Sequence, residues 1–162
     1  MNRYIGIDIG TIFIGWAILN DSDYLKSGFE YFDKHRQLGW RYEHICEWLD
    51  DLFKELIEEG DIVVVGVEYP HLAKKGNIAT TIKLAIVWGQ VCSSAYRAGA
   101  AQVEPIMPST AKMHFTQSGS ASKGKVKAIA QLLKPELEND NESDAIAVAW
   151  AARAKYGLKN TV

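Results

Sequence analysis

Apolar and polar positions along the chain change period several times, and each change marks a predicted element. Residues 3–9 (RYIGIDI) and 13–19 (FIGWAIL) read as two strands joined by a tight Gly-Thr turn, a hairpin pattern. A third strand is expected over 24–32 (YLKSGFEYF), with its Ser-Gly pair marking an irregularity. Over 40–59 the period becomes helical, with Ile45, Trp48, Leu49, Leu52, Phe53 and Leu56 on one stripe and Gly60-Asp61 as the stop. The unbroken apolar run 62–67 suits a strand buried on both faces. A long apolar helix over 78–98 and a short strand over 101–107 follow. Helices over 109–115, 123–133 and 142–156 close the chain, with the Gly-Ser-rich stretch 118–122 expected as a mobile link.

Three strands, a helix, a strand, a helix, a strand and then helices describe an α/β protein. Its expected sheet is mixed and five-stranded, with the first three strands antiparallel and the later two added through helical crossovers. No repeat, low-complexity tract or linker divides the sequence, so residues 1–162 are expected to form one domain.

Composition adds little until charge is divided along the chain. An apolar fraction of 48% and a charged fraction of 23% are those of an ordinary globular protein. The first strand begins at residue 3, leaving no room for a signal or transit peptide, and no apolar stretch is expected to span a bilayer. Cys46 and Cys92 fit no metal-ligand spacing and read as buried helix residues in a reducing compartment, so a cytoplasmic location is expected. The net charge of −2 conceals a strong asymmetry. Residues 1–70 carry six Lys/Arg against fourteen Asp/Glu. Residues 71–127 carry eight Lys/Arg, including Lys74, Lys75, Lys112, Lys123, Lys125 and Lys127, against Glu104 alone. Such a basic stretch is either a solvated face or the footprint of an anionic ligand such as DNA.

Three acids stand out. Asp8 lies inside an apolar strand, where a bare carboxylate costs several kcal/mol or more, roughly, unless partnered. Gly6 and Gly10 leave space around it, and the plain alternative is an Asp bonded to the following turn. Glu68 ends the strand IVVVGVE, the place where open α/β sheets gather ligands, although a solvated strand-terminal Glu is also common. Asp144 belongs to Asn-Glu-Ser-Asp at the start of the last helix, where Asn141 followed by an acid three residues on also resembles a capping box. The Ala-rich AIAVAWAA behind it lets that helix lie close on a sheet. If strands 3–9 and 62–67 are parallel neighbours, the three acids converge on one sheet edge. Such a cluster suits two Mg²⁺ ions, with Mn²⁺ as substitute, about 3.5–4 Å apart on a scissile phosphate. Lys112 and Lys123 lie upstream, placed either to hold that phosphate or simply on the surface.

These segments together resemble the RuvC-type Holliday-junction resolvases of the RNase H-like superfamily. YIGIDIGTIFIGWAIL is similar to the family's opening strand, turn and second strand, and VVVGVEYPHLAKKGN to its Glu-ended strand with a junction-probing loop. PSTAKMHFTQSGSASKGKV resembles the segment with two functional lysines, and ESDAIAVAW the C-terminal Asp-Ala motif. The resemblance covers the whole chain in order. It implies an RNase H-like fold and a metal-dependent endonuclease that resolves four-way DNA junctions by paired symmetric nicks. Asp8, Glu68, Asp144, Lys112 and Lys123 would be catalytic, and Asp8, Glu68, Asn141 and Asp144 would be metal ligands. Tyr69, His71, Lys74, Lys75, Lys125 and Lys127 would contact DNA. It also implies a homodimer through helix 78–98, whose apolar residues are too many for one buried stripe; no helicase partner can be named. The chain departs from the family at Asn141, where Asp or His is usual, so that Asn141 is a neutral ligand or Asp140 or Glu142 takes its place. The loop aromatic is likewise open between Tyr69 and His71.

Other readings remain at this point. Gly6-Ile-Asp8-Ile-Gly10-Thr11 resembles the phosphate motif of actin-like and sugar-kinase ATPases, but those proteins need two facing domains. A superfamily relative acting on flaps, replication intermediates or RNA is a second alternative, and a catalytically idle junction binder a third.

Overall fold

The computed structural model describes residues 1–70 and 77–157. Among the described residues, five strands and five helices follow one another as β1 (Asn2–Asp8), β2 (Phe13–Asn20), β3 (Tyr24–Tyr31), α1 (Leu38–Leu56), β4 (Ile62–Glu68), α2 (Ile78–Arg97), β5 (Gln102–Ile106), α3 (Pro108–Thr116), α4 (Lys123–Leu133) and α5 (Asp140–Tyr156). The sheet order is β3-β2-β1-β4-β5. The three N-terminal strands are antiparallel, whereas β4 runs parallel to β1 and β5 parallel to β4. This is the mixed five-stranded sheet expected from the pattern.

Two cores flank the sheet because its central strands bury both faces. Ile5, Ile7, Ile14, Ile18, Val63, Val65 and Val67 pack under α1 and α2. Tyr4, Ala17, Leu19 and Val64 pack with α3, α4 and α5. Helix α5 lies on the sheet at unusually short range, because the residues beneath it have no side chains to hold it off. A Cβ on Gly6 would strike the Ala145 carbonyl and the Ala149 backbone, and one on Gly15 would strike the Asn141 carbonyl. The Ala-rich run of α5 is the matching half of that contact.

Several expectations need correction. The irregularity in β3 falls at Leu25, where the register against β2 shifts between Ile18 and Leu19, and the Ser27-Gly28 pair is regular. Helix α1 ends at Leu56, where Ile57 turns extended, three residues short of the expected end at 59. Helix α5 begins at Asp140 with Asn139 as its cap. Stretch 118–122 is built as a turn: Gln117 is left-handed, Ala121 is buried and bonded back to Ser118, and Ser122 caps α4. Cys46 and Cys92 are half-buried. Finally, α2 is long and apolar enough to cross a membrane by length and composition, contrary to expectation. The interruptions by Thr80, Thr81, Lys83 and Gln90 break the apolar run without lowering its average enough. In this fold α2 packs on α1 through Val87, Val91, Ser94 and Ala95, while Ile78, Ile82 and Ile86 are exposed.

Candidate active site

Asp8 is the last residue of β1 and Glu68 the last of β4. The parallel register pairs Gly6 with Gly66 and Ile7 with Val67, so Asp8 and Glu68 are the next pair along. Strand alternation puts both on the face covered by α5, since Gly6 and Gly66 directly below them lie against that helix. The strand-end position of Glu68 and the buried position of Asp8 are therefore two consequences of one register.

The third acid comes from above. Asp144 stands one turn inside α5, not in the first turn as expected, and shares a helix face with Asn141 three residues earlier. Asp8, Glu68, Asn141, Asp144, Lys112 and Lys123 line one cavity of about 280 Å³, completed by Pro108, Ala111 and Ala147. The five proposed catalytic residues and the fourth proposed ligand are thus brought together. The cavity also receives the first turns of three helices: Pro108 opens α3, Lys123 opens α4 and Asn141 is the second residue of α5. Backbone N–H groups at helix starts favour anions, so the acids share the cavity with a setting suited to phosphate.

The charges are under tension. Asp8 is only 7% exposed. Its carboxyl is held well above the usual carboxylate range, first by burial and then by repulsion from Glu68 and Asp144, with Lys123 opposing. Asp144 is also raised, chiefly by burial, while Lys123 and Lys112 pull it down. The Lys123 ammonium lies 3.7 Å from the Asp144 carboxylate on a side chain that is 69% exposed. Among the described residues no three His, Cys, Asp or Glu side chains form a ready-made metal cage.

The remaining site residues fall at different places. Tyr69 is exposed just beyond β4, its ring edge-on to Trp88 at 6.3 Å and its N–H bonded to the Ile106 carbonyl. Lys125 is exposed on the first turn of α4. Lys127 is turned back onto the Glu138 carbonyl and Asp140, 3.2 Å away, so its charge is largely spent inside the protein. His71, Lys74 and Lys75 lie outside the described residues.

Two features were missed in the sequence. The cap of α5 is Asn139, which accepts from the N–H groups of Asn141 and Glu142, so the capping pattern begins two residues earlier than the Asn141–Asp144 pair suggested. The spacing Asn139-x-x-Glu142 was the available signal. Yet Glu142 does not reach back to the cap. It is buried against Ser27 and Lys134, a pairing across 115 positions with no local trace.

No family model matches the chain. It is 33% identical over 156 residues to the crossover junction endodeoxyribonuclease RuvC of Gluconobacter oxydans, covering 92% of this chain and 88% of that protein. The RuvC of Geobacter metallireducens is 29% identical over 167 residues, covering 98% and 96%. Among solved structures, Thermus thermophilus RuvC in complex with a Holliday junction substrate superposes with a TM-score of 0.78 at 19% identity, covering 99% of this chain and 98% of that one. The yeast mitochondrial Holliday junction resolvase Ydc2 gives 0.55 at 13% identity, covering 97% and 80%.

Proposed function

Because this chain belongs to the family of RuvC crossover junction endodeoxyribonucleases, we propose that it resolves four-way DNA junctions by hydrolysing one phosphodiester in each of two symmetry-related strands. The likeness runs over almost the whole length of both proteins, which leaves no place for the two-domain ATPase reading. The observation that carries the reading is the joining of Asp8, Glu68, Asn141 and Asp144 with Lys112 and Lys123 around one cavity at the carboxyl ends of β1 and β4.

The donor set fits divalent cations. It is all oxygen, which suits Mg²⁺ or Mn²⁺, and it offers no thiolate or imidazole for a softer ion. Crowding of Asp8 by Glu68 and Asp144 is the tension that cations would relieve. We assign Asp8, Glu68, Asn141 and Asp144 as ligands for two ions. When bound, such ions supply an activated water and charge neutralisation at the scissile phosphate.

The chain's own groups do the rest. Lys112 and Lys123 meet the phosphate oxygens from the α3 and α4 side, where the helix starts add favourable dipoles. Lys123 can leave Asp144 for the substrate because its pair is long and open to solvent. Ala111 and Ala147 keep the cavity wall small enough for a backbone phosphate to enter. Exposed Lys125 and Tyr69, with His71, Lys74 and Lys75, extend the contact along the DNA.

Two nicks need two active sites related as the junction arms are, which a two-fold homodimer provides. Helix α2 is its proposed interface, because Ile78, Ile82 and Ile86 form an exposed stripe at helical spacing. A protein that processes DNA in this way is assigned to the cytoplasm.

The test compares four-way junctions, flaps and RNA–DNA hybrids with Mg²⁺. Paired nicks confined to the four-way junction, abolished by Asp8→Asn, are expected. Preferential cleavage of flaps or hybrids would replace the junction reading with its superfamily alternative.

A further inference from the structure

Helix α5 carries two of the proposed ligands, and how it is turned on the sheet decides where they stand. Glycines 6 and 15 meet its backbone, Gly6 at Ala145 and Ala149 and Gly15 at Asn141 and Glu142. That contact sets how near the helix lies to the sheet, and polar contacts made elsewhere on the helix add to what holds its rotation. Rotation matters because Asn141 and Asp144 must stay opposite Asp8 and Glu68.

A polar pin occurs on the far side of the same turn. Glu142 lies about 200° around the helix from Asp144 and about 100° from Asn141, by the 3.6-residue period. Its side chain is 4% exposed. Its Oε1 accepts from Ser27 Oγ of β3 at 2.5 Å and from Lys134 Nζ, the residue after α4, at 2.7 Å. Lys134 Nζ also lies 3.4 Å from the Ser27 carbonyl, and Tyr24 Oη shares a hydrogen bond with Ser27 Oγ at 2.9 Å. One carboxylate thus ties α5, the end of α4 and the edge strand together. An ion pair buried this way is a weak source of net stability, because desolvation offsets much of the attraction. Its value lies in direction: a charge held by two donors from two elements has one favourable position.

We propose that Glu142, held by Ser27 and Lys134, is a positioning residue that sets the rotation of α5 and thereby the placement of Asn141 and Asp144 in the metal site. The proposal rests on the assignment of those two residues as ligands. It replaces the reading of Glu142 as a substitute for Asn141 in the metal site.

The experiment measures Mn²⁺ binding to DNA-free full-length protein by calorimetry, beside thermal unfolding in EDTA. The variants are Glu142→Gln, Lys134→Met, their combination, and Ser27→Ala as the mildest change. Folded Glu142→Gln and Lys134→Met should each bind Mn²⁺ roughly tenfold more weakly, the range seen when a ligand's supporting partner is removed. The combination should be no worse than the weaker single variant, since both break one pin. Ser27→Ala should show a smaller loss in the same direction. Should Glu142→Gln prove too unstable to study, Ser27→Ala and Lys134→Met decide the matter. Mn²⁺ affinity within twofold of the parent in the folded variants, whatever their melting temperatures, overturns the proposal. Parent protein whose Mn²⁺ binding survives Asp8→Asn and Asp144→Asn would instead remove the metal-site assignment beneath it.

Discussion

Asn141 donates its side-chain amide to Asn139 Oδ1 at 3.1 Å, and that same oxygen caps α5 by accepting the Asn141 and Glu142 N–H groups at 2.8 and 3.4 Å. The backbone bonds fix which way the Asn139 amide faces. They therefore fix Asn141 too: its nitrogen turns to the cap, and its oxygen is the end left for the cavity. The neutral ligand proposed here is tied to the helix cap.

Replacing Asn141 by Asp sets a carboxylate oxygen against Asn139 Oδ1. In EDTA, Asn141→Asp should lose about 1 kcal/mol of stability, the usual scale for a damaged helix cap. Mn²⁺ should recover it, because a cation draws the new carboxylate away and is itself attracted by the added charge. Asn141→Ala should show the reverse: a small loss in EDTA and a clearly reduced melting shift on adding Mn²⁺. Thermal melts of the three proteins with and without metal check this. An undiminished Mn²⁺ shift in Asn141→Ala would strike Asn141 from the ligand set.

Much of this was legible in the sequence, for identifiable reasons. Strand registers follow from alternation, so the approach of Asp8 to Glu68 needed only the parallel pairing of two apolar strands. The close seat of α5 was legible in its alanines. The Glu142 pin was not, because it joins positions 27, 134 and 142 through packing that no local pattern records. The start of α5 was misplaced because Asn139 and Asn141 carry the same capping side chain, and only the backbone shows which of them uses it. Exposed apolar residues on α2 were foreseen from the width of its apolar surface, while its length as a bilayer-scale helix was overlooked because scattered polar residues were weighed above the average.

Asp8 gives a pH dependence with a definite sign. Burial and the neighbouring acids raise its folded-state value above that of the unfolded chain, about 3.9. The folded protein then holds this proton more tightly than the unfolded one, so stability falls as pH rises between the two values. Below about pH 4 the penalty is absent, by the same unfolded reference. In EDTA, Asp8→Asn should therefore be more stable than the parent at neutral pH, with the gap closing as the solution is acidified. Denaturant unfolding at both ends of the range tests this. Equal stability of the two proteins throughout would mean that the Asp8 carboxylate is not under tension.

The lysines should separate by function. Lys123 faces Asp144 in the cavity and Lys112 lines it, so alanine at either should slow single-turnover cleavage of a bound junction well beyond its effect on affinity. Lys125 is exposed on the first turn of α4, and Lys125→Ala should weaken binding and reduce its salt dependence by roughly one counterion, leaving the rate of the bound complex unchanged. Lys127→Ala should do less to binding, because that ammonium is already engaged by Glu138 and Asp140. Rates and salt titrations on one junction decide the ranking. Loss of affinity alone in all four variants would return Lys112 and Lys123 to the general basic face.

Helix α2 has two unlike sides. Val87, Val91 and Ala95 are buried, at a spacing that keeps them on one face. Ile78, Ile82 and Ile86, at the same spacing, are 65%, 57% and 43% exposed. An exposed apolar stripe along the first half of a helix suits a surface that a partner covers, and the proposed partner is a second α2 across a two-fold axis. Ile82→Glu puts a charge at the middle of that stripe, where it would be desolvated beside its symmetry mate. It should leave the monomer folded, because Ile82 contributes to neither buried core. Sedimentation should then give a dimer for the parent and a monomer for the variant, with unchanged circular dichroism. On four-way junctions the variant should give single, uncoupled nicks in place of paired ones. A parent protein that resolves junctions fully at concentrations where it sediments as a monomer would rule the arrangement out, and a variant that remains dimeric would move the interface off α2.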